Sequence, residues 1–372
     1  MSKVGSARKA RRNKVLVVQP WGGDEGVKLV TECANRLDLD CEYIEETLPE
    51  FRWKNVVGKI ILWYGPCIKA AVRGIRRRRG QDVILCCNPM SGLLLGAAGR
   101  LMRMDLPPVV ISMFLFRNWT PEFMDKLRHL FADYALKKVD RIICFSSFEV
   151  DRYKKEFPRH AEKLTFVPVG ADPTFLDLAE ESRRVSENPP MTYIFSGGTT
   201  NRDYVTLMKA MQQFPDIKAR IIARSNNYPG DWPNLEFMEN VYGPVFERSI
   251  FDAAVVVMPL FDLCFSSGQL TLLIAMELGK PIIASDVPGV RDYITAGHDG
   301  VLVPAGDPGA LASELKRLLD DPGERKRLGD NARVTHQTRY TQEMSQMAIL
   351  REVKEVVREP GASPDRMLPR TS

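Results

Sequence analysis

Three short runs combine residue types that suit the binding of an anion. Ser266-Ser267-Gly268-Gln269 follows an apolar run at residues 255–260 and precedes Leu270, Leu273, Ile274 and Leu278 at helical spacing. The pattern predicts a buried parallel strand, a loop and a helix closed by Gly279, with Pro281 opening the next strand. Ser266 and Ser267 suit a helix cap, and Gly268 lets a ligand approach the backbone closely. N–H groups exposed at a helix start attract phosphate, although an ordinary strand-to-helix junction has the same pattern. The second run, residues 196–203, carries Gly197 and Gly198 after a strand and sets Arg202 near the start of the next helix. A guanidinium there can pair with a diphosphate through charge-assisted hydrogen bonds of about 1.5–3 kcal/mol each, or it can be a plain surface charge. The third run, Gly22-Gly23 followed by Asp24-Glu25, also reads as a tight turn at the start of a helix.

The elements that must position these runs alternate along the whole chain. Short apolar segments at 14–19, 41–45, 82–87, 108–114, 141–146 and 164–169 read as strands, with amphipathic helices between them. Thr120-Pro121 predicts a helix start, with Phe123, Leu127, Leu130, Phe131 and Tyr134 turned inward. A second set of strands follows at 191–195, 218–223, 235–238, 254–260, 280–284 and 300–303. Alternation of this kind implies parallel sheets covered by helices on both faces, with ligands at the carboxyl ends of the strands. The expected organisation is a basic tail at 1–13, one domain at 14–172, a linker at 173–190 and a second domain at 191–340. A helix at 341–358 and a disordered tail at 359–372 complete it.

Composition narrows the class. A chain of 372 residues, 44% apolar and 27% charged, has room for two soluble domains with separate cores. Its seven cysteines show neither disulfide nor zinc spacing and read as reduced thiols, and its four histidines are scattered, so no metal is expected. No apolar core follows the basic start and no apolar stretch is long enough to span a bilayer. The expected location is the cytoplasm, peripheral on the inner face of a membrane. Residues 53–79 motivate the membrane: Trp53, Val56, Val57, Ile60 and Tyr64, then Ile68, Val72 and Ile75, share helical faces beside Lys54, Lys59, Lys69, Arg73 and the run Arg76-Arg77-Arg78-Arg79. Such a segment binds anionic headgroups or packs as an ordinary core helix with a basic end. A net charge of +5 without a reader motif argues against nucleic acid.

The second half resembles a known family. Ile274-Ala275-Met276-Glu277-Leu278-Gly279-Lys280-Pro281-Ile282 and Gly300-Val301-Leu302-Val303-Pro304-Ala305-Gly306-Asp307 are similar in order and spacing to the donor-binding half of retaining, family 4 type glycosyltransferases. The resemblance is strongest over residues 191–335. It implies an α/β fold with two Rossmann-like domains facing each other across a cleft, the GT-B type. It also implies a hexosyltransferase that moves a sugar from a nucleotide-diphosphate donor to an acceptor, lipid-linked or polysaccharide, without a cofactor. The donor would meet Gly22, Gly23, Gly197, Gly198, Arg202, Ser266, Ser267, Gly268, Gln269 and Glu277, with Arg202 stabilising the leaving diphosphate. Four positions depart from the family pattern. Its two glutamates fall on Ser266 and Ile274, one of its two diphosphate cations falls on Gly197, and Ile111-Ser112-Met113-Phe114 stands where a histidine is usual. Glu277 is the nearest substitute for the glutamate that holds ribose, and Arg224 a candidate second cation. These losses leave open a degenerate transferase that binds nucleotide sugar or serves as a scaffold.

Overall fold

The structure, a computed structural model, describes residues 11–19, 23–46, 56–114, 122–175, 193–224, 232–263 and 265–358. Gly22, Trp53, Lys54 and the tails at 1–10 and 359–372 lie outside the described residues, as do the side chains of 56–63 and 122–123. The chain divides into two units.

In the first unit the strands β1 (Asn13–Val18), β2 (Leu39–Ile44), β3 (Val83–Cys86), β4 (Val109–Ile111), β5 (Arg141–Cys144) and β6 (Leu164–Phe166) form one sheet in the order β2-β1-β3-β4-β5-β6. Every pairing is parallel. The inner strands β3 and β4 and the Val15–Val18 part of β1 are continuous apolar runs because both faces are covered. One core contains Ile84, Ile111, Ala132, Ala135 and Tyr153, and the other contains Val15, Val30, Cys33, Leu350 and Val353. The helices are α1 (Gly23–Arg36), α2 (Val56–Arg77), α3 (Pro89–Leu101), α4 (Glu122–Leu136) and α5 (Ser147–Glu156).

Helix α4 corrects the sequence reading. Leu127 and Leu130 are 53% and 67% exposed, and Phe131 and Met124 also face solvent, while Ala132, Ala135 and Leu136 are buried. Its neighbour α3 approaches so closely that a Cβ at Gly96 would lie 2.6 Å from the Ala135 carbonyl oxygen. Only small side chains fit at that contact, so the large apolar ones turn outward. Tyr64, Ile68 and Val72 of α2 are likewise exposed, whereas Ile75 packs against the core.

The second unit repeats the scheme with β7 (Tyr193–Gly197), α6 (Tyr204–Met211), β8 (Lys218–Ala223), β9 (Leu235–Glu239), α7 (Pro244–Phe251), β10 (Val255–Met258), α8 (Gln269–Glu277), β11 (Ile282–Ser285), α9 (Pro288–Arg291), β12 (Val301–Val303), α10 (Pro308–Asp320) and α11 (Pro322–Arg339). Its sheet runs β12-β11-β10-β7-β8-β9, again parallel throughout. Helix α12 (Gln342–Arg358) follows. From Gln346 onward it belongs to the first unit, where Ile349, Leu350 and Val353 complete a core. Ser146–Glu149, by contrast, belong with the second unit. In the second sheet the strand order reverses between β7 and β10, and loops leaving the carboxyl ends of two such strands flank a natural ligand crevice.

Candidate functional site

The two loops at that reversal carry the residues singled out in the sequence. After β7 the chain turns through Gly198, at φ +128°, and Asn201, at φ +56°, before Asp203 caps α6 by accepting the Thr206 N–H at 3.1 Å. The Asp203 N–H donates to the Pro259 carbonyl at 2.9 Å, and Asn201 Nδ2 donates to the Phe261 carbonyl at 3.1 Å. The loop after β7 is thereby tied to the loop after β10.

Arg202 lies in this seam. Its Nε donates to the Gly197 carbonyl at 3.0 Å and its Nη1 to the Thr200 carbonyl at 2.8 Å. Its Nη2 has no protein partner among the described residues. The guanidinium rests on two glycines: a Cβ at Gly198 would lie 2.4 Å from Nη2, and one at Gly268 would lie 3.1 Å from both Nη1 and Nη2. Both glycines have positive φ, so they serve backbone shape and close approach together. Arg202 is half-buried, and desolvation lowers its pKa from the ordinary value without bringing a carboxylate to it.

The second half of the site is the start of α8. The sequence reading gives this helix a serine cap. Its cap is instead Gly268, at φ +90°, with no side-chain hydrogen bond to the first turn. The Ser266 and Ser267 hydroxyls and Gln269 Nε2 are buried and meet no hydrogen-bond partner among the described residues. An uncapped helix start beside an arginine, with unsatisfied hydroxyl and amide groups around it, has the chemistry that suits an anion.

The other predicted residues are placed differently. Gly197 is buried in β7, where a Cβ would come 2.6 Å from Phe195 Cζ and 2.8 Å from Phe246 Cε2. It makes room for that aromatic pair, and its contribution to the site is the carbonyl that holds Arg202. Gly23 begins α1 at φ +56°, with open space where a Cβ would point, so backbone shape explains it. Arg224 is exposed at the end of β8, and no described hydrogen bond joins it to Arg202. At the place of the absent histidine, Met113 has φ +53°.

Glu277 needs the largest correction. It closes α8 at the end opposite Gly268, eight residues and roughly 12 Å along the axis from Gln269. Its Oε2 pairs with His336 Nδ1 at 2.8 Å, and its Oε1 accepts from Gln337 Nε2 at 3.2 Å. His336 is fully buried, and its Nε2 lies 2.8 Å from the Ala171 carbonyl oxygen. Burial pulls the imidazole down, but Glu277 and that carbonyl outweigh it and raise the pKa. Burial pushes Glu277 up, yet His336 and Gln337 bring it below the usual carboxylate value. Glu277 is therefore engaged in joining α8 to α11.

Comparison with known proteins gives the family and the fold. Residues 10–175 match the family described as Glycosyltransferase Family 4, and residues 194–321 match the one described as Glycosyl transferases group 1. Sucrose-phosphate synthase from Thermosynechococcus elongatus superimposes with a TM-score of 0.67 at 18% identity, covering 93% of this chain and 99% of that one. The chain belongs to the GT-B glycosyltransferases of family 4 type. Anabaena HepE in complex with UDP-glucose has the same fold, with a TM-score of 0.60 at 14% identity over 92% of this chain and 99% of that one. Among curated relatives, D-inositol 3-phosphate glycosyltransferase of Paenarthrobacter aurescens (strain TC1) is 33% identical over 246 residues, 58% of each chain. The chain spans 17%, 58% and 42% of the length of three other curated relatives that it matches. In family terms, the signature at 274–282 is kept as a packing unit: Ile274 packs against the core and Lys280 Nζ donates to the Ala253 carbonyl at 3.2 Å. Among the described residues no group of His, Cys, Asp and Glu could hold a metal ion.

Proposed function

We propose that this protein transfers a sugar from a nucleotide-diphosphate-sugar donor to an acceptor with retention, and that the donor diphosphate lies between Arg202 and the N–H groups of Ser267, Gly268 and Gln269. The single observation that carries the reading is the guanidinium of Arg202 laid over Gly198 and Gly268 beside the uncapped start of α8. Charge on the diphosphate grows as the sugar leaves. Donors already in place stabilise it without reorganisation, and here they are one guanidinium and a row of backbone N–H groups. The HepE neighbour carries UDP-glucose, which makes uridine donors the first to try.

A lipid-linked acceptor at an anionic membrane surface is the companion proposal. It rests on the outward Tyr64, Ile68 and Val72 of α2 with the outward Met124, Leu127 and Leu130 of α4. Part of the positive charge nearby is already paired, Arg73 with Glu46 at 2.7 Å and Arg77 with Glu42 at 3.2 Å, so apolar contact carries more of the binding than charge. Among the described residues no helix is long and apolar enough to cross a membrane.

A second reading, a degenerate transferase that binds nucleotide sugar without turning it over, is favoured by Ile274 and by the engagement of Glu277 with His336. The deciding experiment incubates the protein with uridine, guanosine and thymidine diphosphate sugars and a panel of polyprenyl-phosphate and glycolipid acceptors. Sugar transfer with the donor's anomeric configuration, abolished by Arg202→Ala, supports the enzyme. Donor binding with neither hydrolysis nor transfer supports the second reading.

A further inference from the structure

Ser266, where the family pattern has a glutamate, is held by a carboxylate from far away in the chain. Its N–H donates to Glu149 Oε1 at 2.9 Å, across 117 residues of sequence. Glu149 is only 2% exposed. It lies in the first turn of α5, and Asp292, just after α9, holds that turn. Asp292 Oδ2 accepts from Ser146 Oγ at 2.8 Å and from the Ser147 N–H at 2.9 Å, and its Oδ1 accepts from Ser147 Oγ. On its other side Ser266 meets Gly289 of α9, where a Cβ would fall 2.9 Å from Ser266 Cα. These contacts close a ring: α9 presses on Ser266, Ser266 donates to Glu149, and Asp292 ties the turn bearing Glu149 back to the end of α9.

We infer that Glu149 is a positioning residue of the donor loop, gripping the Ser266 backbone so that the N–H groups of 267–269 face the same anion as Arg202. The inference rests on the donor reading given above. A buried carboxylate close to an anion site is unfavourable unless hydrogen bonds hold it, and here it accepts a backbone N–H. Losing that acceptor frees the loop at the residue immediately before the binding groups. A displacement of about 1 Å at such groups costs up to roughly a hundredfold in rate.

The test compares wild type with Glu149→Ala and Glu149→Gln. The readouts are calorimetric titration with UDP, GDP and dTDP, KM and kcat for the donor sugar, and amide hydrogen exchange over 261–270. The carboxamide of Gln still offers an oxygen to Ser266, and Ala offers nothing. Glu149→Ala should weaken nucleotide binding at least fivefold, raise the donor KM and speed exchange at Ser266. Glu149→Gln should recover most of all three. Unchanged affinity in a folded Glu149→Ala protein overturns the inference, and so does an equal loss in both variants. If Glu149→Ala does not fold, Glu149→Asp decides, since its carboxylate stops roughly 1.5 Å short of Ser266; unchanged binding there overturns it. If wild type binds none of the three nucleotides, the donor reading is what fails. Exchange at Ser266 then tests the grip alone: faster in Ala than in Gln supports it, and equal rates overturn it.

Discussion

Replacing Gly268 by alanine perturbs the site at its most constrained atom. The residue sits at φ +90°, where an L side chain costs about 1–2 kcal/mol. The new methyl would lie 2.9 Å from Met258 Cε, which can swing aside, and 3.1 Å from Arg202 Nη1 and Nη2. The guanidinium is less free to move, because Nε and Nη1 are held by the Gly197 and Thr200 carbonyls. Displacing it should lose at least one charge-assisted hydrogen bond to the diphosphate, roughly 1.5–3 kcal/mol, which is about a 10- to 150-fold loss of affinity. The backbone cost alone should lower Tm by roughly 2–8 °C. Gly297→Ala is the control. Gly297 has φ +76° and nothing within 4 Å of its Cβ position, so it should lose stability but no affinity. Thermal unfolding and nucleotide titration of both variants separate the two effects. Wild-type nucleotide affinity in Gly268→Ala, or an equal loss in Gly297→Ala, would refute the reasoning.

Three further outcomes follow from the structure. The Glu277–His336 pair should stabilise most between the ordinary values of 4.5 and 6.5. Below that window Glu277, whose pKa is lowered, loses its charge as pH falls through its folded value; above it His336, whose pKa is raised, loses its proton as pH rises through its own. His336→Ala should therefore cost roughly 3 kcal/mol near pH 5.5 and less at either extreme, as read from urea unfolding across pH. A deficit that is flat with pH would show packing rather than ionisation. Leu127→Asp with Leu130→Asp should release the protein from anionic vesicles in sedimentation, since each buried leucine contributes about 1.5–3 kcal/mol, and unaltered binding would move the contact elsewhere. Ile274→Glu should keep the fold, because Ile274 is only partly buried, and tighten nucleotide binding roughly tenfold if its carboxylate reaches ribose. Unfolding that nucleotide does not rescue would make Ile274 a core residue.

What was legible in the sequence was local. Strand–loop–helix order, the glycine at the approach to α8 and the arginine near the start of α6 each depend on neighbours a few residues away, so spacing reports them. What was hidden depends on residues distant in sequence. Glu277 carries the periodicity of a ligand-facing residue, yet its partner His336 stands 59 residues later. The face of α4 was misread because its burial follows from Gly96 on α3 rather than from its own large apolar residues. Gly197 reads as a donor-facing residue because nothing local announces that Phe195 and Phe246 close over it. The glutamate missing at 266 suggested a lost carboxylate, whereas Glu149 brings one to the same backbone.

The most direct test of the donor site is calorimetric titration of wild type and Arg202→Ala with UDP, GDP and dTDP. Wild type should bind one of the three at a single site. Arg202→Ala should bind it at least tenfold more weakly, since Nη2 is the hydrogen-bond donor left without a protein partner among the described residues. No binding of any nucleoside diphosphate by wild type, or unchanged affinity in a folded Arg202→Ala protein, would contradict the account.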